Sequence, residues 1–67
     1  MLSKRQIQCL LWGREGKSST DIGAIIGLSP RTVDDHFAAA CAKLGVRTRV
    51  QAIAEATRLG LLPPSTP

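Results

Sequence analysis

The chain has 67 residues, 43% of them hydrophobic, a formal net charge of +4 and a pI near 9.8. That length makes one small domain, which buries only about 60% of its unfolded surface and so depends on every helix cap. The apolar content excludes disorder by composition, no apolar run approaches the roughly 18 residues of a membrane span, and the positive balance favours a polyanionic partner.

Met1-Leu2 leads straight into charge, so no secretory leader is expected. Ser3 to Arg14 reads as the first helix, with Ser3 and Gln6 as a capping box. Ile7, Leu10 and Leu11 are expected to face inward, and Lys4, Arg5, Gln8 and Arg14 outward. Trp12 reads as an anchor closing the edge of the core. Gly13 to Lys17 reads as a loop bounded by Gly13 and Gly16. Cys9 and Cys41 fall on or beside apolar stripes and read as small buried hydrophobes of a reducing cytosol. A zinc site needs at least two more ligands, and His36 is the single histidine.

From Ser18 to Leu44 the pattern is short helix, tight turn, longer helix. Ser18 caps the short helix, with Asp21 as an acidic variant of the capping box. Ile22, Ile25 and Ile26 recur at helical spacing and define its buried stripe. Gly27 stops it, and Leu28 plugs the corner. Ser29 caps the longer helix, and Pro30 takes its first position. Val33, Phe37, Ala40 and Leu44 form the apolar stripe of that helix. Gly23 lies mid-helix, where it costs roughly 1 kcal/mol relative to Ala. The return expected there is close approach of the next helix. Gly45-Val46-Arg47 ends the longer helix. Thr48 and Gln51 then open a fourth, lined by Ala52, Ile53, Ala56 and Leu59 and ended by Gly60. Leu61 and Leu62 fold back on the core. The expected fold class is all-α, a four-helix bundle containing a helix-turn-helix over residues 1–62, with 63–67 a disordered polar tail.

The free face of the third helix carries Ser29, Arg31, Thr32, Asp34, Asp35 and Ala38, which are short, polar or small. A helix that enters the major groove needs such a face. Arg31, Thr32, Asp34, Asp35 and Ala38 are therefore the candidates for base edges. A carboxylate there accepts from cytosine N4 or adenine N6, and penalises wrong sequences more than it adds affinity. Local readings compete: Arg31 reaches both aspartates at helical spacing, and either can complement the helix dipole. Lys17 and Ser18 stand at the start of the second helix, where free N–H groups favour a phosphate. Ser29, His36, Lys43, Arg47 and Arg49 complete the phosphate candidates, with the last three clustered beyond the third helix. His36 is expected half-buried and hydrogen-bonded. No catalytic set shares one face, and no cofactor or metal is expected.

Several motifs fall in order: L-S-K-R-Q at 2–6, L-L-W at 10–12, G-K-S at 16–18 and D-I-G-A-I-I-G-L-S at 21–29. T-V-D-D-H at 32–36, K-L-G-V at 43–46 and R-V-Q-A at 49–52 follow. Together they resemble the LuxR-type helix-turn-helix domain over nearly the whole chain. That family usually has Thr and Glu at positions 3 and 6, and often Asn, Lys or Arg at 34 and 35. The resemblance implies bacterial transcription regulation in the cytoplasm. It implies a homodimer on a pseudo-palindromic double-stranded DNA operator, an N-terminal sensory domain and contact with RNA polymerase. Trp12 followed by G-K-S looks more like the acyl-homoserine lactone branch than the phosphorylated response-regulator branch. A helical protein-interaction module that has lost DNA binding is the alternative from another class, resting on Asp34 and Asp35.

Overall fold

The structure is a computed structural model and describes residues 1–63. Among them are four helices: α1 (Lys4–Arg14), α2 (Ser19–Ile26), α3 (Pro30–Leu44) and α4 (Arg49–Arg58). Each begins at a hydroxyl residue that was legible in the sequence. Ser3 and Thr48 form complete capping boxes with Gln6 and Gln51. Ser18 accepts from the Asp21 N–H and Ser29 from the Thr32 N–H. The Asp21 carboxylate makes no return bond to its cap. Asp is one methylene shorter than the Glu of a capping box, so the cap of α2 is single.

α3 packs against each of the other three helices, α1 also packs on α4, and α2 and α4 do not touch across the core. Leu10, Ile22 and Val33 are fully buried, with Cys9, Phe37, Ala40, Ala52, Ala56 and Leu62 completing the core. Ile7, Leu11, Trp12, Ile26, Leu28, Leu44, Ile53 and Leu61 pack around it, half-buried. Trp12 is thus at the core edge, and Leu61-Leu62 do fold back.

Three expectations are corrected. Ile25 is 47% exposed, because α2 is eight residues long and packs mainly on α3, and its buried side is Ile22 and Gly23 with Ile26 half-buried beside them. Leu59 is 49% exposed; it lies past the last helical residue, where the chain turns through Gly60. Gly13 is helical rather than the start of a loop. A Cβ on it would stand 3.0 Å from the Phe37 ring and 3.3 Å from Ile53, so a larger residue where α1 crosses α3 and α4 would force those side chains to shift. The tail expectation falls on residues 64–67, outside the described part; Pro63 offers its carbonyl to Arg14 Nη1 at 2.7 Å.

The corner between α2 and α3 is set by backbone alone. Gly27 takes the left-handed conformation, φ 76°. The Leu28 N–H then donates to the Gly23 carbonyl at 2.9 Å. A Cβ on Gly23 would lie 2.2 Å from the Leu28 carbonyl oxygen. The close approach expected at Gly23 is therefore made by the turn, one residue ahead of the α3 cap.

Gly23→Ala gains roughly 1 kcal/mol of helix propensity. It also drives a methyl into a backbone oxygen that cannot rotate away, and overpacking of this kind costs roughly 1–3 kcal/mol or more. A lowered urea midpoint is expected; an unchanged or raised one contradicts the close approach. Phe37→Ala, which empties a buried aromatic site, is expected to cost roughly 3–5 kcal/mol and leave little cooperative unfolding to measure.

Candidate nucleic-acid interface

The N-terminal turns of α3 are held forward by the Gly23 corner and capped by Ser29. Arg31, Asp34, Asp35 and Ala38 are exposed there, and Thr32 is half-buried. The Ser29 hydroxyl accepts from the Thr32 N–H and donates to Thr32 Oγ1 at 2.9 Å. Its donor is thus committed inside the helix start, while the Thr32 hydroxyl hydrogen stays available.

Asp34 and Asp35 are adjacent and have different surroundings. The Ser19 hydroxyl, in the first turn of α2, donates to Asp34 Oδ1. Arg49 Nη2, at the first residue of α4, donates to the same oxygen at 3.0 Å and to Ser19 Oγ at 3.1 Å. The Arg49 guanidinium lies over the Phe37 ring, 3.8 Å from its centroid. Asp34 therefore ties the starts of α2 and α4 to α3. The Ser19 hydrogen bond, with that of Arg49 and the nearby positive charge, holds its carboxyl below the ordinary value of 3.8. Exposed ion pairs contribute only about 0.2–1 kcal/mol. A stack of Arg on an aromatic ring contributes about 0.5–1 kcal/mol at an exposed site. The network is a geometric tie more than a large source of stability.

Asp35 has one partner among the described residues, Arg31, with Nε 3.8 Å from Oδ1. That distance is an ion pair and too long for a hydrogen bond. Arg31 is the second residue of α3, where the helix dipole disfavours a cation by about 0.3–1 kcal/mol.

The phosphate candidates separate in the same way. Lys17 and Arg47 are exposed, and their side chains make no hydrogen bond or ion pair among the described residues. The Ser18 hydroxyl accepts the cap bond from Asp21 N and keeps its own hydrogen to donate. Lys43 Nζ is engaged by the Met1 carbonyl and Gln6 Oε1, each at 3.0 Å. Arg49 is turned to Asp34 and Phe37, so the expected Lys43–Arg47–Arg49 cluster is dispersed. His36 is half-buried as expected, but it makes no hydrogen bond among the described residues, and neither ring nitrogen is buried without a partner.

Two residues with tying roles escaped the sequence reading. Ser19 lies one position after a cap and looked like ordinary helix start. Arg5 donates from Nη1 to the Ile26 carbonyl at 3.1 Å, closing the free end of α2. The signal for Arg49 was present: a cation at the first position of a helix opposes the dipole and calls for an anion from elsewhere.

Cys9 is buried and Cys41 half-buried, both as free thiols; burial pushes the Cys9 thiol up. No group of three metal-ligating side chains occurs among the described residues. No helix among the described residues is long and apolar enough to cross a membrane. A shallow depression lined by Gln8, Leu11, Trp12, Arg14 and Glu15 is built on α1 and the turn after it.

A tight glycine corner that presents the exposed first turns of a longer helix defines a helix-turn-helix DNA-binding domain. Residues 1–56 match the family described as "Bacterial regulatory proteins, luxR family". The chain belongs to that family, whose members regulate transcription. It is 48% identical over 64 residues to the transcriptional activator protein VanR of Vibrio anguillarum, covering 96% of this chain and 27% of that protein. It is 46% identical over 61 residues to the transcriptional activator protein LuxR of Aliivibrio fischeri, covering 91% and 24%. The solved structure of the transcription factor GerE superposes with a TM-score of 0.88 at 35% identity, covering 92% of each chain. The chain thus spans about a quarter of the length of these curated relatives.

The Asp34 tie has a pH signature. A carboxyl with a depressed folded pKa contributes stability that is present above its ordinary value of 3.8 and lost as pH falls through the lower folded value. The stability gap between the parent and Asp34→Asn is therefore expected to hold at about pH 6 and to narrow as pH falls below the ordinary carboxyl value of 3.8. Denaturant midpoints across that range measure it; a gap that stays constant contradicts the tie.

Proposed function

We propose that this chain binds double-stranded DNA sequence-specifically, as the C-terminal effector domain of a LuxR-type transcriptional activator. The supporting observation is the exposed start of α3, held off the core by the Gly23–Leu28 corner. That is the part of a recognition helix that meets base edges. Bases are read from Arg31, Thr32, Asp35 and Ala38, with Asp34 acting through its tie to Ser19 and Arg49 instead of touching a base. Phosphates are met by Lys17, Ser18, His36, Lys43 and Arg47, while Ser29 and Arg49, whose donors are committed to Thr32 and to Ser19 and Asp34, stay internal. Lys17 and Arg47 lead, because their charges are free among the described residues. The activator role follows the names of the relatives VanR and LuxR.

In the full-length regulator an N-terminal domain senses a signal. Trp12 followed by Gly16-Lys17-Ser18 supports the acyl-homoserine lactone branch of quorum sensing. Two copies bind a pseudo-palindromic operator in the cytoplasm and present a surface to RNA polymerase. The interaction-module alternative loses support from Asp34, whose charge is answered within the domain.

Titration with duplex DNA at several salt concentrations tests the core of this reading. Affinity is expected to fall steeply as salt rises, through counterion release. Lys17→Ala and Arg47→Ala each weaken all duplexes alike and flatten the salt slope by about one unit. Slopes unchanged in both variants remove these residues from the interface. Equal affinity for a half-site and a full palindrome rules out paired binding.

A further inference from the structure

Three arginines of this domain sit at the positive ends of helices: Arg5 as the second residue of α1, engaged by Gln8 and the Ile26 carbonyl, Arg49 as the first of α4 and Arg31 as the second of α3. Arg49 is answered by Asp34, Ser19 and the Phe37 ring. Among the described residues the one ion pair of Arg31 is with Asp35, one turn further on, at 3.8 Å, and its charge also acts on Asp34 at longer range. The side chains are 89% and 69% exposed, and the Arg31 guanidinium makes no hydrogen bond among the described residues. As a stabilising device the pair is poorly built. The cation precedes the anion along the helix, the less favourable order, and opposes the dipole as well.

We infer that Arg31 and Asp35 act together as a guanine-reading unit. Asp35 holds the Nε edge of the guanidinium, which leaves the Nη1/Nη2 edge for O6 and N7 of a guanine in the major groove. The inference rests on the DNA-binding reading above. A guanidinium presents five N–H donors in a rigid planar fork, so one edge can bind a carboxylate while the other faces a base. Arg to guanine O6 and N7 is the bidentate match in the major groove. In water the pair is loose. When DNA excludes water from the groove the attraction strengthens, and the guanidinium is fixed at the moment it must discriminate. Asp35 alone would face guanine acceptor to acceptor; behind Arg31 it favours guanine instead. Asp34 cannot serve in this way, because Arg49 and Ser19 hold its Oδ1. Ala38, three residues beyond Asp35 on the exposed side, adds no bulk.

Selection from a random duplex pool tests this with the 67-residue chain. The variants are Arg31→Ala, Arg31→Lys, Asp35→Ala, Asp35→Asn and the double alanine variant, each checked for helicity by circular dichroism. The parent is expected to fix guanine at one position of each half-site. Arg31→Ala loses roughly 5- to 100-fold of that preference and leaves the other positions unchanged. Asp35→Ala relaxes the same position, and adds nothing in the Arg31→Ala background. Arg31→Lys and Asp35→Asn keep part of the preference, since each retains one half of the pairing chemistry. The inference is overturned if Arg31→Ala weakens all duplexes alike and flattens the salt slope, which marks a phosphate contact. It is overturned equally if Asp35→Ala changes a different base pair, which marks an independent reader of cytosine or adenine. A parent chain that retains no duplex at low salt removes the DNA-binding reading itself, and this inference with it.

Discussion

The ring of Phe37 is where this domain is held together. The backbone of α1 lies against it at Gly13, where a Cβ would stand 3.0 Å away, and the guanidinium of Arg49 covers it at 3.8 Å. α2 and α4 do not pack on each other. Among the described residues Arg49 links them directly on this side, reaching Ser19 while it stacks on Phe37 and binds Asp34. One aromatic side chain on α3 therefore supports a guanidinium that fixes the starts of both flanking helices. The ring supplies the buried area, and the ionic contacts supply direction. In a domain of this size neither suffices alone: the core is small, and exposed ion pairs contribute little.

The same network decides what the recognition face offers to DNA. Asp34 and Asp35 bring two negative charges to a helix meant to approach phosphates. Asp34 is neutralised by Arg49 and Asp35 partly by Arg31, so neither stands alone. The face is nearly neutral, and the net charge of +4 has to act from its flanks, at Lys17 and Arg47. Affinity and sequence preference are thereby carried by different residues. Flanking cations contribute salt-dependent attraction. The face contributes discrimination, because an unmatched carboxylate in the groove is penalised.

Much of this was legible in the sequence, because much of it is local. The caps at Ser3, Ser18, Ser29 and Thr48 and the stop at Gly27 each depend on a few consecutive residues. The close approach at Gly23 was readable as a glycine placed where it costs helix propensity. The burial of Ile25 was misjudged because periodicity gives a direction and not a partner; α2 has one main neighbour and a narrow buried stripe. The Asp34–Arg49 tie was missed because it joins residues 15 apart, outside any helical spacing. Arg49 looked like a free cation beside Arg47, and its unfavourable place at a helix start was the one hint of an internal partner.

Arg49 and Asp34 thus form an internal tie that positions α3, while Arg31 and Asp35 are left to face the bases. The structure of this chain on a selected operator duplex measures that most directly. In that complex Arg49 is expected still over Phe37 and within hydrogen-bond distance of Asp34, with Arg31 at a guanine edge. An Arg49 released to a phosphate, with Asp34 turned onto a base, would contradict it.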